Sequence, residues 1–170
     1  MAQQYLIANG PMPTTAAQAV VTTGTSIKTL LQVKASATAT FKIVEWGISF
    51  DGSAAATPIK VELLETDVAA TVTASAAADI VKYNAEALSG GDPTTNLFPV
   101  GTTSTGYTST SEGSITAVRE FDVQLVAPTN QYVKQFPLGR EPVVQISKFA
   151  RIRVTAGAAV NAYCYMVVEV

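Results

Sequence analysis

The residues able to do chemistry in this chain are few, and their spacing is poor for it. There is no histidine and a single cysteine, Cys164. Without a histidine base, neither a Ser–His–Asp nor a Cys–His nucleophile system can be assembled, and the usual zinc ligand sets are missing. One thiol makes no internal disulfide. Within AYCYM, Cys164 reads as a small buried hydrophobe and not as a reactive group. The nearest approach to an acid cluster is Asp51, Glu62 and Glu65. Glu62 and Glu65 fall on opposite faces of an extended strand, whereas glycoside hydrolysis needs two converging carboxyls, so solvated strand and turn positions are expected. Asp92, Thr95 and Asn96 offer calcium-friendly oxygens without the EF-hand spacing. Gly90-Gly91 is followed by no Gly-Lys-Ser/Thr and opens no helix, so it is not a phosphate loop. Arg151 and Arg153 share a face with Tyr163 and Tyr165 if the last two strands pair as a hairpin. That patch suits stacking and bidentate hydrogen bonding of a sugar or peptide, or a subunit contact. No catalytic residue, metal ligand or cofactor is expected.

The elements that would carry these residues read as strands. Thr40 to Asp67 is the strongest local signal, two alternating runs joined by a turn at Asp51-Gly52. Val44, Trp46, Ile48 and Phe50 share one face of the first run, with Phe41, Ile43, Glu45 and Ser49 on the other. In the second, Ile59, Val61 and Leu63 alternate with Lys60, Glu62 and Leu64, and Pro58 is tolerated where a strand begins. Before them, Met1 to Thr25 reads as an extended arm, since Gly10, Pro11 and Pro13 stop the short apolar run Tyr5 to Ala8. Ser26 to Val33 is expected to be a strand although it lacks clean alternation. Val68 to Ala78 is ambiguous between helix and strand, and Ile80, Val81 and Tyr83 form a short apolar element. Asn84 to Gly113, rich in Thr, Ser and Gly, is expected to be one long loop, anchored through Leu97, Phe98 and Tyr107 on its own domain or on an adjacent subunit.

Alternation returns at Ser114 to Ala127, with Ile115, Ala117, Phe121, Val123 and Leu125 on one face and Thr116, Glu120, Asp122 and Gln124 on the other. Short elements follow at Tyr132 to Phe136 and Val143 to Ile146. Phe149 to Thr155 turns Ala150, Ile152 and Val154 inward and Arg151 and Arg153 outward. In Val160 to Val170, Val160, Ala162, Cys164, Met166 and Val168 alternate with Asn161, Tyr163, Tyr165 and Glu169. About eight or nine strands with turn signals between them and no long helix predict an all-β fold. The expectation is a single antiparallel β-sandwich, jelly-roll or Greek-key-like, spanning residues 26–170 behind an arm at 1–25.

Charged residues make up 14% of the chain and the net charge is −2, against roughly 25% charged residues in an ordinary soluble domain. Nothing is basic enough for a nucleic-acid footprint, and weak long-range repulsion suits a chain that associates with others. No apolar run approaches the roughly 18 residues of a membrane span. MAQQYLIANGPMP lacks the basic n-region of a secretory signal, so synthesis in a cytoplasm is expected.

WGISFDGSAAATPIKVELLETD, preceded by NGP and by TTGTSIKTLLQVK, resembles a family of small structural proteins of tailed bacteriophages. Its members are described as capsid decoration or minor head proteins, above all in phages of actinobacteria. The resemblance covers Ile7 to Asp67, and the C-terminal half matches only in its strand-and-turn style. It implies a β-sandwich subunit, commonly trimeric, on the outside of an icosahedral shell. There it would bridge neighbouring major capsid proteins after expansion and strengthen the shell against DNA pressure. The family has no catalytic residues to carry over. Expected partners are therefore further copies of the chain and a major capsid protein, in the virion, with neither nucleic acid nor membrane involved. The expected contact residues are Tyr5, Leu6, Ile7 and Pro11 of the arm, Leu97, Phe98 and Tyr107 of the loop, and Tyr163 and Tyr165, helped by outward apolar residues such as Ile43 and Leu64. A tail or baseplate structural protein and a carbohydrate-binding module of a fibre are the alternative readings.

Overall fold

The structure is a computed structural model and describes residues 2–53, 55–82 and 97–170. Thirteen strands are present among them: β1 (Gln4–Ala8), β2 (Val21–Thr22), β3 (Ile27–Lys34), β4 (Phe41–Phe50), β5 (Ile59–Thr66), β6 (Thr71–Ala74), β7 (Ile80–Lys82), β8 (Gly106–Ser111), β9 (Val118–Val126), β10 (Gln131–Gln135), β11 (Val143–Val144), β12 (Phe149–Thr155) and β13 (Asn161–Glu169). They form two antiparallel sheets packed face to face. The first has the order β10-β4-β13-β1-β7, with β11 beside β4 and β2 beside β13; the second has the order β6-β8-β3-β12-β5-β9. The all-β sandwich predicted from alternation is the fold.

No two consecutive strands pair with each other. The connections cross between sheets or pass over a neighbour, so the hairpins expected from the sequence are absent. β4 lies in one sheet and β5 in the other, because Asp51 to Pro58 carries the chain across the top of the sandwich. β12 and β13 are likewise in different sheets. Arg151 and Arg153 are therefore on the opposite side of the molecule from Tyr163 and Tyr165.

The core between the sheets is built on Trp46, with Tyr5, Ile7, Leu31, Val33, Phe41, Ile43, Ile48, Val61, Leu63, Ile152, Val154, Cys164, Met166 and Val168 around it. Three bulges decide which residues reach it. Glu45 pairs with Val167 and Ile43 with Val168, so Val44 is an extra residue and the phase of β4 shifts there. Phe41 and Ile43 consequently join Trp46, Ile48 and Phe50 inside, and Ile43 is buried instead of outward as the alternation predicts. Leu30 is extra against β12, which explains why β3 lacks a clean period. Phe121 is extra against β5.

The inward face of β9 is the reverse of the one expected. Asp122, Gln124 and Val126 stand opposite the inward Leu63, Val61 and Ile59, while Leu125 is 74% exposed. The cause is position: β9 and β10 are the outermost strands on one side of the two sheets. Asp122 there accepts a hydrogen bond from the Tyr132 hydroxyl at 3.0 Å and one from the Gln124 amide at 3.0 Å, and pairs with Lys134 at 3.3 Å. Burial, then the Asp122 carboxylate, push the Tyr132 hydroxyl up to about 12. A polar seam thus closes the side of the sandwich, and an inward charge on an edge strand discourages pairing with another chain.

The expected arm is also part of the sandwich. β1 is hydrogen-bonded on both sides, to β13 and to β7. Asn9 continues it, accepting from the Cys164 amide and donating to the Ala162 carbonyl. The ambiguous segment after Asp67 supplies β6 and a single turn of 3-10 helix at Ala77–Asp79.

Candidate interaction surfaces

The acids that might have formed a catalytic group do not meet. Asp51 is exposed and accepts hydrogen bonds from the Asn161 amide and side chain, holding the start of β13. Glu62 lies on the outer face of the second sheet between Arg153 at 2.9 Å and Lys60 at 2.8 Å. Burial opposes its ionisation, but hydrogen bonds from Arg153 and Lys60 outweigh that and hold the carboxyl below its ordinary value. Glu65 is at the end of the sandwich, held by Arg119 in a bidentate pair at 2.8 and 2.5 Å and by the Gln145 amide. Each has a structural partner and they belong to separate places. Asp92, Thr95, Asn96 and Gly90-Gly91 lie outside the described residues.

Arg151 turns away from the core as alternation requires, yet it is fully buried. Val68 to Ala70 and Glu112-Gly113 pass over that part of the outer sheet face. Arg151 donates to the Val68 carbonyl, to the Glu112 carbonyl at 3.1 Å and to the Glu112 carboxylate at 3.3 Å. Glu112 also accepts from the Thr29 amide, the Thr29 hydroxyl and the Ser109 hydroxyl at 2.7, 2.6 and 2.6 Å. Burial opposes ionisation of Glu112, but Ser109, Thr29 and Arg151 together hold its carboxyl below the usual range. Burial lowers Arg151 to about 10, and it remains charged at neutral pH. Leu64, the ladder partner of Arg151, is also buried, so it is not the exposed apolar residue expected. Gln32 completes the layer, donating to the Ser104 carbonyl at 2.6 Å and accepting from the Ala70 amide at 2.8 Å. This network fastens loops to the sheet. Ser109 and Glu112 also border a small surface pocket with Thr23, Ile27 and Lys28, but their polar atoms are committed to the network.

The expected contact residues separate into core and surface. Tyr5, Ile7 and Phe98 are buried, and Phe98 packs edge-on against Tyr5 at 5.2 Å and Phe41 at 5.5 Å. These three cannot be contact residues, because each side chain is spent on the core. Leu97 is half-buried against the same cluster. Tyr107 is half-buried on β8, which the sequence reading placed inside a long loop. Gly106, Tyr107, Ser109 and Ser111 pair with β6, and Gly106 and Tyr107 also with β3, while Thr108 and Thr110 are the extra residues of two bulges. Gly106 is required there, since a Cβ would collide with the Thr73 carbonyl oxygen and lie 2.6 Å from Val72. Leu6 is half-buried on the outer face of the first sheet and Pro11 is exposed beyond β1.

Tyr163 and Tyr165 are on that same outer face, half-buried, with ring centroids 6.3 Å apart. Tyr165 pairs across the ladder with Gly47, and its ring lies over that glycine: a Cβ there would sit 2.7 Å from it. The Tyr165 hydroxyl donates to Glu45 at 2.6 Å. Ile48, Ser49, Gln131 and Val133 complete a shallow groove around the two rings.

A second surface lies at the end of the sandwich where β4 begins and β5 finishes, and the sequence reading did not single it out. Val118, Leu138 and Ile146 are 52%, 97% and 48% exposed. Leu138 stands at the tip of a turn closed by the Arg140 amide on the Pro137 carbonyl, with Gly139 at φ +83°. Ile146 belongs to the turn closed by Lys148 on Gln145. Arg119, next to Val118, donates to the Val143 carbonyl at 2.7 Å while it holds Glu65, which also accepts from the Gln145 amide next to Ile146. Isolated exposed aliphatics give no sequence signal, because only the tertiary structure places them at one end. Comparison with protein-family models, curated proteins and solved structures found no match to this chain.

Proposed function

We propose that this chain is a structural subunit of a tailed-phage particle, a decoration protein that adheres to the outer surface of the head and reinforces the shell as a homo-oligomer, a trimer by the resemblance of Ile7 to Asp67. The observation that carries the reading is the apolar end: Val118 and Ile146 project from elements joined by the Arg119–Glu65 pair, and Leu138 from the turn closed by Arg140 on Pro137. Exposed aliphatics held in place at one end of a weakly charged body are what an adhesive contact needs, since apolar area is removed from water with little loss of side-chain entropy. Many copies on a lattice multiply a modest contact into tight attachment. The buried carboxylates, each committed to a structural pair, are consistent with a scaffold. Because Tyr5 and Ile7 are core residues, attachment falls to this end and not to an N-terminal arm.

The test is co-sedimentation of the purified chain with expanded heads stripped of it, with imaging of the particle to locate bound density. The triple substitution Val118→Ser, Leu138→Ser, Ile146→Ser should abolish attachment while leaving the melting temperature within a few degrees. Attachment unchanged in that variant, or density confined to the tail, would overturn the proposal.

A further inference from the structure

We propose that the groove around Tyr163 and Tyr165 is a binding site for a neutral saccharide. This goes beyond the attachment role, and the groove lies on a sheet face away from the apolar end. Three observations carry it. First, the rings are pre-positioned. Tyr165 is laid over Gly47 and anchored by Glu45 at 2.6 Å, so little order has to be gained on binding. Second, the lining is chemically mixed in a particular way. Tyr163, Tyr165 and Val133 form an apolar floor, with the Gln131 amide and the Ser49 hydroxyl at the rim. A sugar ring presents the complement, a face of C–H groups edged by hydroxyls that both donate and accept. Third, among the described residues no lysine or arginine lines the groove, and the carboxylate at its edge, Glu45, is engaged by the Tyr165 hydroxyl. An anion would lose hydration there without a cationic partner, so a neutral ligand is favoured.

Size narrows the ligand further. The groove encloses about 240 Å³, below the roughly 300–1,000 Å³ of sites that engulf a drug-sized molecule. It accommodates one ring of a chain and leaves the rest in solvent. Such a site takes an internal or terminal unit of a surface polysaccharide with weak affinity per copy, and repetition over an oligomer raises the total. A protein segment is the other class of occupant for an aromatic face. The hydroxyl-matching rim favours the sugar.

Isothermal titration and a glycan array, using soluble β-glucan, mannan, dextran and chitin oligosaccharides as probes, test the assignment. Wild-type protein is expected to bind at least one of these with a dissociation constant in the micromolar to millimolar range. Tyr163→Ala should weaken that binding at least tenfold, and Gln131→Ala, at an exposed position, should weaken it several-fold without touching the core. Both variants should melt as wild type does and still attach to heads, which keeps a failure here separate from a failure of the attachment role. No binding of any probe at millimolar concentration, or binding that both variants retain in full, would overturn the proposal.

Discussion

Phe98 offers the sharpest check on how the chain is held together. Sequence reading places it in a long loop, anchored on its own domain or on an adjacent subunit, and the structure packs it in the core of its own sandwich between Tyr5 and Phe41. Truncating a buried phenylalanine to alanine costs about 3–5 kcal/mol, the sum of lost transfer energy and the cavity left behind. The two edge-on ring contacts each add about 0.5–1.5 kcal/mol beyond area, so Phe98→Ala belongs in the upper part of that range, about 4–5 kcal/mol. For a chain of this length each kcal/mol lowers the midpoint by about 2–4 °C, and the expected fall is therefore about 8–20 °C. Scanning calorimetry at a protein concentration low enough to keep the chain monomeric is the assay. Leu138→Ala, at a position 97% exposed, is the control and should stay within about 0.5 kcal/mol of wild type. If Phe98→Ala melted like that control in the monomer and lost stability only on assembly, the residue would be an intersubunit anchor and the packing argument would be wrong.

Other outcomes follow from the same geometry. Gly106→Ala should cost about 1–3 kcal/mol by forcing β6 away from β8, readable as a lower urea midpoint. Cys164 is buried, and burial pushes its thiol well above the ordinary value; a thiol-reactive disulfide reagent should label it only in denaturant, and rapid labelling of native protein would contradict the packing. Glu112 has a folded carboxyl pKa below its ordinary value of 4.5. Its contribution to stability is thus complete above about pH 4.5 and is lost as pH falls through the lower folded value. Denaturation midpoints measured against pH should drop on that acid limb, and Glu112→Gln should flatten the drop while lowering stability at neutral pH by leaving Arg151 without its counter-charge.

Period-2 patterning made the fold class legible, and it identified most strand cores correctly, including the inward set Ala162, Cys164, Met166 and Val168 of β13. What it missed has a common cause. A bulge inserts one residue and reverses every face beyond it, so Ile43 reads as outward when the extra residue at Val44 turns it in. Alternation also reports which residues share a face, not which face is covered. That is why the polar side of β9 proved to be the inner one, and why Arg151 lies buried beneath the Val68 segment and Leu64 beside it is buried too. The Thr/Ser run of β8 was hidden because its strand character comes from two ladder partners far away in sequence. For the surfaces, the tyrosine pair was visible as spacing, but its neighbours Gln131, Val133 and Gly47 came from other strands, and Arg151 and Arg153 proved to be on the far side. The apolar end could not be read at all.

The absence of any pairing between consecutive strands has a further consequence, for the birth of the protein. Gln4 and Glu169 are partners separated by 165 positions, and at a synthesis rate of about 5–20 residues per second the first waits on the order of 10–30 s for the second to be made. Among the described strands no local hairpin can form early as a nucleus, and loop closure precedes their pairing, which places folding at the slow, milliseconds-to-seconds end for domains of this kind. Until β13 arrives, β1 has no central partner and Tyr5 and Ile7 lack the core that buries them. The nascent chain therefore depends on staying dilute or shielded while it is being made, and folds as one unit once β13 is available.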